Sequence, residues 1–146
     1  MRKAVAIVLL LVSAVLLSGC IETIPDYKLA KFESEPNKIT PGEYVNIKVT
    51  IENAGKETTP ENKFKVGVKI ITKGGAQYWD IQEPKLIEPL NPNGPGDFEF
   101  RAESKPNTPI GDSTFKVYLY SLDTEDEKDF AKTSWFVNDE IDVYVS

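Results

Sequence analysis

The stretch Val45-Asn46-Ile47-Lys48-Val49-Thr50-Ile51-Glu52 alternates apolar and polar side chains without a break, and Pro41-Gly42 stands just ahead of it. A strand buries every second residue against a core, whereas a helix needs apolar residues three and four apart. This stretch therefore reads as a strand buried on one face. The same period recurs at Phe64, Val66, Val68 and Ile70, at Phe98, Phe100 and Ala102, at Phe115, Val117 and Leu119, and at Ile141, Val143 and Val145. Further strands are predicted near Tyr27–Glu33, Tyr78–Ile81, Lys85–Ile87 and Thr133–Val137.

Turn chemistry separates these runs. Asn53-Ala54-Gly55, Gly74-Gly75, Asn91-Pro92-Asn93-Gly94-Pro95-Gly96 and Pro109-Ile110-Gly111-Asp112 interrupt them at short intervals. No segment carries a helical period long enough for a crossover between parallel strands. The expectation is an all-β chain: an antiparallel immunoglobulin-like β-sandwich of seven to nine strands over residues 27–146. The segment Lys73–Asn93 is longer than a minimal module needs and predicts an insertion or extra edge strands.

Upstream, Arg2 and Lys3 precede an apolar run from Ala4 to Leu17, broken only by Ser13, and Leu17-Ser18-Gly19-Cys20 closes it. A basic start, a short apolar core and small residues at the end form a signal-peptide layout. The run is shorter than the roughly 20 residues of a membrane span. Its ending resembles the lipobox of prokaryotic lipoproteins, which implies cleavage after residue 19 and a diacylglyceryl group on the Cys20 thiol. Residues 20–26 would then be the lipidated cysteine and a short tether. Two acyl chains suffice for stable anchoring where one does not. The six residues Ile21–Asp26 reach at most about 20 Å, which would hold the domain close to the membrane on its extracytoplasmic face.

The stretch Pro36–Gly55, with Pro41-Gly42-Glu43 leading into the Val45–Ile51 alternation and Asn53-Ala54-Gly55, is similar to the first half of immunoglobulin-like domains of the CARDB type. Phe98-Glu99-Phe100, Pro109-Ile110-Gly111 and Phe115-Lys116-Val117-Tyr118-Leu119 resemble their second half. The resemblance implies a binding, spacing or adhesive role at a prokaryotic cell surface, with no shared catalytic site. Phe115 stands where many sandwiches place a corner tyrosine. With only Gln77 and Gln82 as glutamines and many Lys and Glu, the composition is of the kind found in hyperthermophile proteins, which together with the resemblance implies an archaeal source.

Composition narrows the chemistry. The 146 residues hold no His and one Cys, which removes Ser/His/Asp and Cys/His nucleophile systems and Cys/His zinc sites. A net charge of -6 argues against nucleic acid. Asp123, Glu125, Asp126, Glu127 and Asp129 could offer calcium several oxygens, but the run lacks the glycine and spacing of an EF-hand loop and contains Lys128. It reads as a solvated hairpin loop. Ser113 and Lys116 match an S-x-x-K pattern, whose two side chains would point to opposite faces of a strand. No cofactor is expected.

The aromatics offer a surface. If odd positions from Phe115 to Leu119 face the core, Tyr118 and Tyr120 face outward, and counting back from Tyr144 puts Phe136 outward as well. These four would form a patch able to receive a partner protein of the envelope or to stack on a polysaccharide, unless they pack among themselves. The leading expectation is a lipid-anchored, non-catalytic binding or assembly module. A carbohydrate-binding accessory module and a small envelope hydrolase using two carboxylates about 5–10 Å apart in a cleft are the alternatives.

Overall fold

The computed structural model describes residues 25–122 and 134–146, the latter without the side chains of 134–138. Nine strands run through the described residues: β1 (Tyr27–Glu35), β2 (Lys38–Ile39), β3 (Tyr44–Asn53), β4 (Phe64–Ile70), β5 (Trp79–Ile81), β6 (Lys85–Leu86), β7 (Pro95–Ser104), β8 (Gly111–Ser121) and β9 (Ser134–Val145). They form two sheets, in the orders β1-β3-β7-β5 and β2-β9-β8-β4-β6. That is the immunoglobulin-like division, in which hairpin neighbours in sequence are shared between the two layers. Among the described residues no helix is long and apolar enough to cross a membrane.

The alternation seen in the sequence builds the core. Val45, Ile47, Val49 and Ile51 of β3, with Phe100 and Ala102 of the neighbouring β7, are buried in one core with Val66 and Val68 of β4, Phe115, Val117 and Leu119 of β8, and Val143 and Val145 of β9 from the other sheet. Each fully buried aliphatic or Phe side chain contributes about 1.5–3 kcal/mol relative to exposure. Register is fixed because a slip of one residue in β3 against β7, where Ile47 pairs with Phe100 and Val49 with Phe98, would turn the whole apolar row to water.

Four local features differ from the sequence reading or refine it. Lys38–Ile39 forms a two-residue strand that no periodicity could announce, and it pairs parallel with Tyr144 and Val145, so the sandwich is not wholly antiparallel. The two strands expected near Thr133–Val137 and Ile141–Val145 are one strand, β9. A large bulge joins its halves: Lys116 pairs with Glu140 and Tyr118 with Trp135, leaving Val117 opposite residues 136–139. The strand expected over Tyr27–Glu33 continues to Glu35. The long Lys73–Asn93 segment does supply extra edge strands, one to each sheet, with β5 on β7 and β6 on β4.

Two polar devices close the ends. Pro41-Gly42 turns β2 into β3 with Gly42 at φ 94°, a conformation that disfavours any residue with a Cβ. Its N–H donates to Ser104 Oγ at 3.0 Å, and that hydroxyl donates to the Glu43 carbonyl at 2.7 Å, fastening the turn to the end of β7. At the opposite end the buried Asn53 amide donates to the Glu57 and Leu90 carbonyls while its oxygen accepts from Gly55 N–H. One side chain thus holds together the loops leaving β3 and entering β7.

Candidate functional site

The outer face of the β4–β8 pair carries two of the four sequence-nominated aromatics, Tyr118 and Tyr120, and its geometry begins with a glycine. Gly67 on β4 pairs directly with Tyr118 on β8. A Cβ on Gly67 would meet the ζ carbon and hydroxyl of Tyr118 at 2.7 Å, so the ring lies against bare β4 backbone. Lys69 Nζ sits 4.5 Å from the centre of the same ring. Tyr118 is consequently only 6% exposed although its strand position points away from the core. Burial pushes its hydroxyl pKa up, with the nearby Tyr120 adding to the effect, and burial pulls the Lys69 ammonium down.

Of the other nominated residues, Tyr120 adjoins this spot on the same face of β8, whereas Tyr144 and Phe136 belong to β9. Tyr120 is half-buried and pairs with Lys65. Tyr144 is 42% exposed, has Lys38 Nζ 5.7 Å from its ring centre, and pairs with Asp112. Six strand positions separate Asp112 from Tyr118, about 20 Å at the usual rise. Phe136 falls within the β9 bulge, through which a strict count of alternation does not carry, and its side chain lies outside the described ones. Tyr118 and Tyr144 therefore do not share one contiguous patch. Cys20 and the acidic run Asp123, Glu125, Asp126, Glu127 and Asp129 lie outside the described residues. Among the described residues no group of three or more side chains is placed to hold a metal ion.

Ser113 and Lys116 take the opposite faces expected of a strand. Ser113 is buried and accepts from the Trp79 indole at 3.2 Å, while Lys116 is outward and pairs with Lys69 on β4 and Glu140 on β9. No nucleophile-base contact exists between them.

Three concavities among the described residues bear on function. One, of about 180 Å³, lies between the β4–β5 loop and the β7–β8 loop and is lined by Tyr78, Trp79, Pro109 and Ile110 among others. Trp79 forms its inner wall, edge-on to Phe115 at 5.0 Å, and Ile110 stands 73% exposed at its rim. A second is a groove on the outer face of the other sheet, lined by Lys31, Lys48, Thr50, Asp97 and Glu99. Asp97 and Glu99 are two residues apart on one strand, about 7 Å by strand geometry, which matches a hydrolase spacing. Both stand exposed on an open sheet face, and Asp97 accepts from the Thr50 hydroxyl at 2.6 Å. A glycosidase pair flanks the scissile bond from two sides of a cleft, whereas these two carboxylates stand side by side on one strand. The third, beside Asn53, is lined mostly by polar loop residues from Pro25 to Pro60.

Sequence reasoning missed Gly67 and Ile110. Gly67 was visible as a glycine at an outward strand position, a signal of close approach by a neighbour; Ile110 was read only as part of a turn.

No protein-family model matches the sequence and no curated protein is similar to it, so the CARDB-type resemblance rests on the motifs above. Among solved structures, the fold is similar to part of an alkylpurine DNA glycosylase of Pseudomonas fluorescens, with 15% identity and a TM-score of 0.46 over 68% of this chain and 29% of that one. The chain thus spans less than a third of the glycosylase. A domain from a protein described as a cell surface protein of Methanosarcina acetivorans is 14% identical, with a TM-score of 0.44 over 85% of this chain and 94% of the domain. An MSP-domain-like family member from Caenorhabditis elegans is 16% identical, with a TM-score of 0.40 over 77% and 97%. These likenesses concern the β-sandwich architecture and carry no activity to this chain.

Proposed function

We propose that this chain is a lipid-anchored immunoglobulin-like module of the extracytoplasmic face of a prokaryotic membrane, acting by binding or assembly rather than catalysis. The observation that carries the reading is Leu17-Ser18-Gly19-Cys20 placed six residues ahead of a folded strand that starts at Tyr27. Acylation of Cys20 would leave only Ile21–Asp26 between lipid and sandwich. Tyr27 pairs with Asn53, while Tyr44, at the other end of β3, pairs with Glu103. The β7–β8 loop with Ile110 follows that second end. The exposed Ile110 therefore stands at the end of the sandwich away from the tether, about 30 Å along strands of ten to eleven residues.

The test is to express the full chain and its Cys20→Ser variant in a bacterial host that processes lipoproteins. The parent should partition into the detergent phase, and its intact mass should show loss of residues 1–19 and gain of acyl chains. The variant should show neither the acyl mass nor the processing. Equal partitioning and equal processing of the two chains would remove the anchor from the reading.

A further inference from the structure

We propose that the outer edge of β9 is a strand-addition site for an extended, lysine- or arginine-bearing segment of a partner protein. β9 is twelve residues long, yet on the side away from β8 the described strands cover it only through β2, at Tyr144 and Val145. Tyr144 N–H donates to the Asn37 carbonyl and Ser146 N–H to the Ile39 carbonyl, both at 2.9 Å, which fixes which backbone groups point to this edge. Alternate residues of a strand direct their N–H and C=O to the same side. Those of Glu140 and Asp142 therefore point to the same edge, beyond the reach of β2. The chain before Asn37 cannot serve them, because Ser34 and Glu35 are paired with Ile47 and Asn46 in the other sheet. β1 also approaches β9 but gives its ladder to β3.

Charge selects the occupant. Asp139, Glu140 and Asp142 are all exposed, and residues 134–146 contain no Lys or Arg. Lys116 stands opposite Glu140 across the β8 ladder, Lys38 lies over the Tyr144 ring at the end that β2 covers, and Thr114 Oγ1 donates to Asp142 at 2.5 Å, so two positive charges border three negative ones. A second copy of the chain, added edge to edge, would set these carboxylates against their own equivalents, which opposes pairing. An extended segment with Lys or Arg at alternate positions satisfies both the open N–H and C=O groups and the acidic side chains. The proposal deepens the binding-module reading by naming its partner class. It does not depend on the anchor, so either can fail without the other.

The experiment uses the full chain in non-ionic detergent and a short capped peptide of alternating lysine and valine. Binding is read by titration calorimetry and by hydrogen exchange over residues 139–143. The peptide should bind and slow exchange there, and methylating its alternate backbone nitrogens should weaken it by about tenfold or more, since the ladder is lost while the charge is kept. Asp139→Lys with Asp142→Lys, both exposed and checked for an unchanged melting temperature, should shift preference to a second capped peptide in which glutamate replaces each lysine. Absence of binding, equal binding of the methylated peptide, protection confined to other residues, or dimerisation of the chain through β9 would each overturn the proposal.

Discussion

The Trp79 indole nitrogen donates to Ser113 Oγ across the sandwich, 3.2 Å apart in a buried setting, joining the edge strand β5 of one sheet to β8 in the other. The bond lets the largest side chain of the core pack edge-on to Phe115 without stranding its single polar atom. Ser113→Ala should leave that N–H unpaired and cost about 1–3 kcal/mol, read as an earlier denaturant midpoint with unchanged slope. Ser113→Thr should retain most of the stability. A silent alanine variant would mean that water replaces the serine.

Gly67 and Tyr118 act as one unit. Gly67→Val should lift the ring off β4 and away from Lys69, with a loss of about 1–3 kcal/mol typical of overpacking. Combined with Tyr118→Ser, the loss should be smaller than the sum of the two single variants, because the second substitution removes the clash. Strict additivity in the double-mutant cycle would show that the two residues do not press on one another.

Alkaline titration should resolve two classes among the six tyrosines. Burial raises the pKa of Tyr118 and of Tyr27, the latter only partly offset by the neighbouring Thr59 hydroxyl, although Tyr27 Oη makes no hydrogen bond of normal geometry. These two should ionise later than the others in the ultraviolet difference spectrum, and Tyr118→Phe should remove one of the late groups. The stability consequence follows in sign: a tyrosine whose folded pKa is raised contributes fully below its unfolded value near 10 and loses that contribution as pH climbs through the folded value. Lys69, held below its ordinary value by burial, works the other way, since losing its proton relieves a cost. The tyrosine contribution should therefore fall as pH rises above about 10, and Lys48, whose pKa its hydrogen bond to Glu35 raises, loses its contribution in the same direction. A single uniform tyrosine titration would contradict this.

What the sequence determined by itself is the layer structure. Val45–Ile51, Phe64–Ile70, Phe98–Ala102 and Phe115–Leu119 alternate so regularly that each apolar row had to turn toward one core, because the removal of apolar surface from water is the dominant force driving folding, and residues of every one of those rows are buried there. The absence of His and the lone Cys also belong to sequence alone. Tertiary structure decided what lies on the outer faces and at the edges. Alternation tells which way Tyr118 points but not that Gly67 across the ladder leaves a bed for its ring. Alternation also does not decide whether a bulge interrupts the count between Tyr144 and Phe136, as the one at residues 136–139 does, or that Lys38 and Ile39 are the described residues that pair along the outer edge of β9. Outward positions and short edge strands are governed by which strands become neighbours. Those pairings join residues such as Ile39 and Val145, far apart in the chain, and no local pattern records them.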